Sequence, residues 1–229
     1  KREDAVDDTM YDLLSEGKAA EVRGVVLDMF LNGQSVAQIC DGPIRSALYR
    51  LGQLWEHRQQ GILTEHRATD ICVQALRELR PLVDPGMRNE QPKGNGQTNG
   101  SRKRSSAQKT AVGCTPPDDP YRVTTLMVSL TVMEAGYEAV NLGPDLPYSL
   151  LVEAAREHKA TLAWISATAT DHAPGADQLI ELAEQLGPRV TLALGGQALP
   201  TLPTLHPDNI LVCQTLGELS AFLRGSQRH

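Results

Sequence analysis

The chain has 229 residues, 41% of them apolar and 22% charged, which suits a globular protein of one large or two small domains. Its formal net charge of −6 excludes a broad cationic face for nucleic-acid phosphates. No apolar run reaches the ~18 residues needed to cross a bilayer and no signal peptide is visible, so the expected setting is the cytoplasm, with no membrane partner.

The first 87 residues read as helical. Val6, Met10, Leu13 and Leu14 share one face of a first helix. Ala20, Val22, Val25, Val26, Met29 and Phe30 continue at helical spacing, and Asn32-Gly33 ends that helix. Ser35 suits the cap of a short helix with Val36 and Ile39. Pro43 suits the first turn of a longer one, with Ile44, Leu48, Leu51 and Trp55 along one face. Gly61 is expected to interrupt, and Thr64 to cap a last helix with Ile71, Ala75, Leu76 and Leu79. Pro81 and Pro85 are expected to close it. Short joins make these helices a bundle of about four.

Residues 88–110 are rich in Gly, Asn, Gln, Ser and Lys/Arg. Such a stretch buries too little apolar surface to offset the entropy of ordering, so it reads as a flexible linker. Its Arg102-Lys103-Arg104 run reads as solvated charge.

Beyond the linker the periodicity changes. Short apolar strand candidates at 111–114, 139–142, 162–166, 191–194 and 210–212 alternate with helical patterns at 123–135, 150–158, 178–186 and 216–223. Repeated strand–helix units predict a parallel sheet covered on both faces. The fold class is therefore α/β: a helical bundle over 1–87, a linker over 88–110, and a flavodoxin-like five-stranded parallel sheet over 111–229. Ligands of such sheets bind beyond the carboxyl ends of the strands. That selects the loops at 115–122, 167–174 and 195–199.

Those loops hold the candidate chemistry. Gly195-Gly196-Gln197 would let backbone approach a ligand closely, although many α/β loops need glycine merely to turn. Ser166 and Thr168 point the same way along an extended chain, so both hydroxyls would face one ligand. The other reading of this loop is capping of the following helix. Cys40, Cys72, Cys114 and Cys213 show no CxxC spacing and sit in apolar stretches, as buried thiols do. His57, His158 and His206 read as surface residues.

At these residues the second half resembles the cobalamin-binding fold of corrinoid methyltransferases, mutases and light-responsive repressors. That family carries D-x-H-x-x-G after its first strand, S-x-L or S-x-T after the third, and G-G after the fourth. Here Ser166-Ala167-Thr168 and Gly195-Gly196 match. Counting back from Gly136-Tyr137 sets the first motif at Asp118 to Val123, with Pro120 for the histidine and Val123 for the glycine. The stretch 141–147 resembles the family's second-strand exit. The first half resembles the bundle of light-responsive, cobalamin-dependent MerR-type regulators, whose Trp is followed by Glu-His after nine residues. Trp55, Glu65 and His66 keep that spacing.

The resemblance implies a sensory module, not an enzyme, that holds cobalamin, as adenosylcobalamin, between bundle and sheet. Trp55 would cover the upper face, Glu65 would accept hydrogen bonds from ribose hydroxyls, and His66 would reach the cobalt once an upper ligand leaves. Asp118, Pro120, Val123, Ser166, Thr168, Gly195, Gly196 and Gln197 would border the cofactor. Pro120 offers no lone pair to cobalt. Val123 would narrow the passage through which the cofactor's dimethylbenzimidazole tail inserts beside the sheet. His172, on a neighbouring loop, is the substitute ligand to consider. The family further implies a homo-oligomer, and DNA contact only through a domain outside this segment or a partner regulator. Two other readings stand: a module holding another tetrapyrrole or no cofactor, and a corrinoid protein of methyl transfer.

Overall fold

A computed structural model describes residues 2–55, 59–84 and 108–225. The segment read as a linker falls almost wholly outside the described residues, although its last residue, Thr110, already begins a strand.

The helical half comprises α1 (Arg2–Glu16), α2 (Ala19–Leu31), α3 (Val36–Ile39), α4 (Arg45–Trp55) and α5 (Gln59–Val83). Ser35 caps α3 as its sequence suggests. Its hydroxyl accepts from the Gln38 N–H while the Gln38 side chain accepts from the Ser35 N–H. Two expectations are corrected. Pro43 does not open a regular helix but lies in a π-helical turn, Cys40–Ile44, kinked at Gly42. Gly61 and Thr64 do not break the chain, because α5 runs unbroken for 25 residues and passes Pro81. A glycine inside a helix costs about 1 kcal/mol. The burial of Ala68, Ile71, Cys72, Leu76, Leu79 and Val83 along α5 outweighs it.

The second half holds five parallel strands, β1 (Thr110–Cys114), β2 (Glu138–Gly143), β3 (Leu162–Ser166), β4 (Thr191–Gly195) and β5 (Ile210–Val212), in the order β2-β1-β3-β4-β5. The helices are α6 (Arg122–Glu134), α7 (Tyr148–Glu157), α8 (Ala176–Leu186) and α9 (Leu216–Gly225). One sheet face packs on α7 and α8 through Leu151, Leu179, Ile165 and Leu192. The other packs on α6 and α9 through Val132, Leu219 and Trp164.

Helix α6 serves both halves. Val132 faces the sheet, while Val123, Met127, Leu130 and Met133 enter the bundle core. Two carboxylates clasp the halves together. Glu134 accepts from the Val36 N–H at 3.1 Å. Asp41 accepts from the Leu216 and Gly217 N–H groups at 3.0 and 2.9 Å, so a bundle residue supplies the N-terminal partner of α9. The bundle is thereby fixed against α6 and the start of α9.

Candidate functional site

The loops after β1 and β3 are joined by one buried carboxylate, that of Asp119. It is fully buried and accepts three backbone N–H bonds: from Tyr121 at 3.0 Å, Thr168 at 2.6 Å and Ala169 at 3.0 Å. A buried carboxylate survives only when so satisfied. Thr115 extends the join, donating to the Asp119 carbonyl and accepting the Asp145 N–H at 2.9 Å. Asp118 is exposed, with a left-handed φ of 63°, and its N–H reaches Asp145 Oδ1 at 2.8 Å.

These placements correct the motif frame by one residue. The structural aspartate is Asp119, so Tyr121 and Thr124, not Pro120 and Val123, stand two and five residues beyond it. Pro120 is exposed. Val123 is buried in the bundle core and cannot narrow a passage beside the sheet. Thr124 faces the site instead, with its hydroxyl 3.2 Å from that of Thr168. Two adjacent aspartates made the frame ambiguous; only the fold of the loop shows which one is buried.

Ser166 is buried at the end of β3, and Thr168 is half-buried. Gln197 donates to the Thr168 carbonyl at 3.2 Å, tying the third loop to the second. Gly196 has φ 108°, and a Cβ there would lie 2.0 Å from the Ala167 carbonyl oxygen. Its glycine is therefore needed for the close approach of the two loops. Gly195, Gly196 and Gln197 thus sit at one edge as expected. Beside them a cavity of about 500 Å³ is lined by Gly196, Gln197, Leu202, His206, Cys213 and Gln214. His206, read from sequence as a surface residue, borders this space. His172 lies exposed in a short 3-10 turn, Thr170–His172.

From the bundle, α5 presents Glu65 and His66. Thr69 donates to Glu65 at 3.0 Å, and the Glu65 side chain is only 17% exposed. His66 Nε2 lies 3.7 Å from Glu65, and its side chain is 72% exposed. The side chain of Trp55 lies outside the described residues. Burial raises the pKa of the Tyr121 phenol, and the carboxylates of Glu65, Asp119 and Asp171 raise it further. Glu65 is therefore near enough to Tyr121 to be felt electrostatically.

The four cysteines are unpaired and buried, as expected. Burial pushes Cys72 and Cys114 up to about 12. Among the described residues no group of three or more His, Cys, Asp or Glu side chains is placed to hold a metal ion. Nor is any helix there long and apolar enough to cross a membrane.

Two family models match the chain. Both are described as B12 binding domain, one over residues 110–219 and the other over 6–80. A dimethylamine corrinoid protein 1 of Methanosarcina acetivorans is 25% identical over 162 residues, covering 70% of this chain and 68% of that protein. A dimethylamine corrinoid protein 3 of Methanosarcina mazei is 32% identical over 94 residues, covering 40% of this chain and 56% of its own length. The solved monomethylamine corrinoid protein of Methanosarcina barkeri superposes with a TM-score of 0.63 at 15% identity, over 97% of this chain and 99% of that one. At that identity the likeness shows the fold. These relatives carry corrinoid-protein names, not those of the MerR-type regulators expected from the bundle motif.

Proposed function

The chain belongs to the B12 binding domain family, and from that premise we propose that it holds a cobalamin between α5 and the carboxyl edge of the sheet, as a sensory module and not as an enzyme. The observation that carries this reading is the meeting of the three carboxyl-edge loops at Thr168, where the Thr124 hydroxyl and the Gln197 amide both reach it at 3.2 Å. Thr168, Gly196, Gln197 and Tyr121 would bound the corrin ring from the sheet side. Glu65, His66 and Trp55 would bound it from the bundle. Gly196 lets the loop after β4 close on Ala167, which draws the loops that would border the ring together.

Bound cobalamin supplies a cobalt centre with an exchangeable upper ligand. Glu65, oriented by Thr69, would accept hydrogen bonds from the ribose hydroxyls of an adenosyl group. His66 brings an exposed imidazole, the residue of the α5 face best suited to ligate a metal. On the sheet side Tyr121 brings a phenol, neutral at pH 7 as phenols ordinarily are, and burial raises its pKa further. A neutral phenol is a poor metal ligand, so the β1 exit offers no equivalent of a ligating histidine at Tyr121. A ligand clasped by two lobes favours their closed arrangement, and its loss releases them. The charge of −6 fits a role in which any DNA is reached through another domain or regulator. A homo-oligomer is part of this reading.

The names of the relatives favour a second reading, a corrinoid protein of methyl transfer with a methyltransferase partner. The phenol in place of imidazole weighs against it.

One experiment separates the readings. The chain is incubated with adenosylcobalamin in the dark, desalted, and its visible spectrum recorded before and after green light. Retained colour that shifts on illumination supports the sensor. Retained colour that does not respond favours the carrier. A colourless protein overturns cobalamin binding and returns the module to a cofactor-free role.

A further inference from the structure

The space beside the sheet is occupied. Parallel registry pairs Gly113 of β1 with Trp164 of β3, so both face the α6–α9 side. The indole lies so close to Gly113 that a Cβ there would come within 2.0 Å of its ring. Trp164 is 1% exposed and heads the largest fully buried side chains. Ala111, Val132, Leu162, Ala193 and Leu219 pack around it.

The indole is also tethered. Its Nε1–H donates to Thr125 Oγ1 at 3.0 Å, and the Thr125 hydroxyl donates to Asn141 Oδ1 at 3.1 Å. Thr125 is fully buried. Moving the ring would strand a buried hydroxyl and open a void of side-chain size.

An indole and a dimethylbenzimidazole are both flat bicyclic rings of similar size. The family resemblance implies a tail laid beside the sheet, and here that place is filled. We propose that Trp164 takes the volume that a nucleotide tail would need, so that this chain recognises corrinoids by the ring alone. It then binds cobinamide, which lacks the nucleotide, as well as it binds cobalamin.

This inference rests on the reading that the chain binds a corrinoid. Isothermal titration of the full chain with aquocobalamin and with aquocobinamide tests it. Comparable affinity, with cobalamin favoured by less than about fivefold (~1 kcal/mol), or tighter binding of cobinamide, supports the proposal. A larger preference for cobalamin overturns it and leaves corrinoid binding intact. Binding of neither overturns both. A Trp164→Ala variant adds an independent arm, in which the ratio is expected to move towards cobalamin by about tenfold or more. A folded variant with an unchanged ratio overturns the proposal. If the variant does not fold, the wild-type ratio decides.

Discussion

The two faces of the sheet solve the same packing problem differently. Against α7 and α8 the strands present aliphatic side chains of similar size, among them Val112, Ile165, Leu192 and Leu194. Against α6 and α9 one large indole is fitted to a strand position with no side chain at all. The first face tolerates gradual change; the second depends on a matched pair. The difference teaches where a ligand has room. On the proposed reading that room lies at the carboxyl edge and not beside the strands.

The largest break in this comparison is Trp164→Ala, which should cost about 3–5 kcal/mol in denaturant unfolding, against about 2–5 kcal/mol for Leu192→Ala on the opposite face. The Leu192 variant should leave the cobalamin-to-cobinamide ratio as in the wild type. Next comes Asp119→Ala, which deprives three N–H groups of their acceptor and should cost about 3 kcal/mol. Asp119→Asn, which keeps one acceptor oxygen, should recover part of that loss, whereas Asp118→Ala should change stability by less than ~0.5 kcal/mol. Equal effects at the two aspartates would contradict the corrected motif frame. Asp41→Ala removes the partner of the α9 N-terminus and should cost about 1 kcal/mol, read from the thermal midpoint.

An effect of similar size to that at Asp41 is alkaline. Cys114, on the α7–α8 face, is raised from 9.0 to about 12 by burial, and Cys213, on the other, to about 11 by burial and by Glu218. A thiol held protonated by the fold contributes stability that is complete below pH 9. That contribution falls as pH rises towards the folded value, by on the order of 1 kcal/mol per pH unit for Cys114 and by less for Cys213, whose shift solvent screens. Unfolding at pH 8 and pH 10 should show the loss, and Cys114→Ala should reduce it.

The sheet was legible because its strands are short, apolar and separated by helical periods. β3 and β5 fall where the pattern sets them. α5 was not, because Gly61 and Thr64 carry local break signals that the buried side chains further along override. At the site, Gly195-Gly196 and Thr168 were found by their place after strands. Asp119 and Tyr121 were missed because a pair of aspartates looks alike in sequence until one is buried. Trp164 is one of two tryptophans in the sequence, but its meaning depends on the registry with Gly113, which only strand pairing reveals.

The most direct test of the central claim is a crystal structure of the chain with cobalamin bound. The expected result is a corrin ring between the Glu65–His66 face of α5 and the Tyr121–Thr168 edge, with the Trp164 indole still donating to Thr125. A nucleotide tail inserted between the sheet and α6, with that indole displaced, would contradict the account.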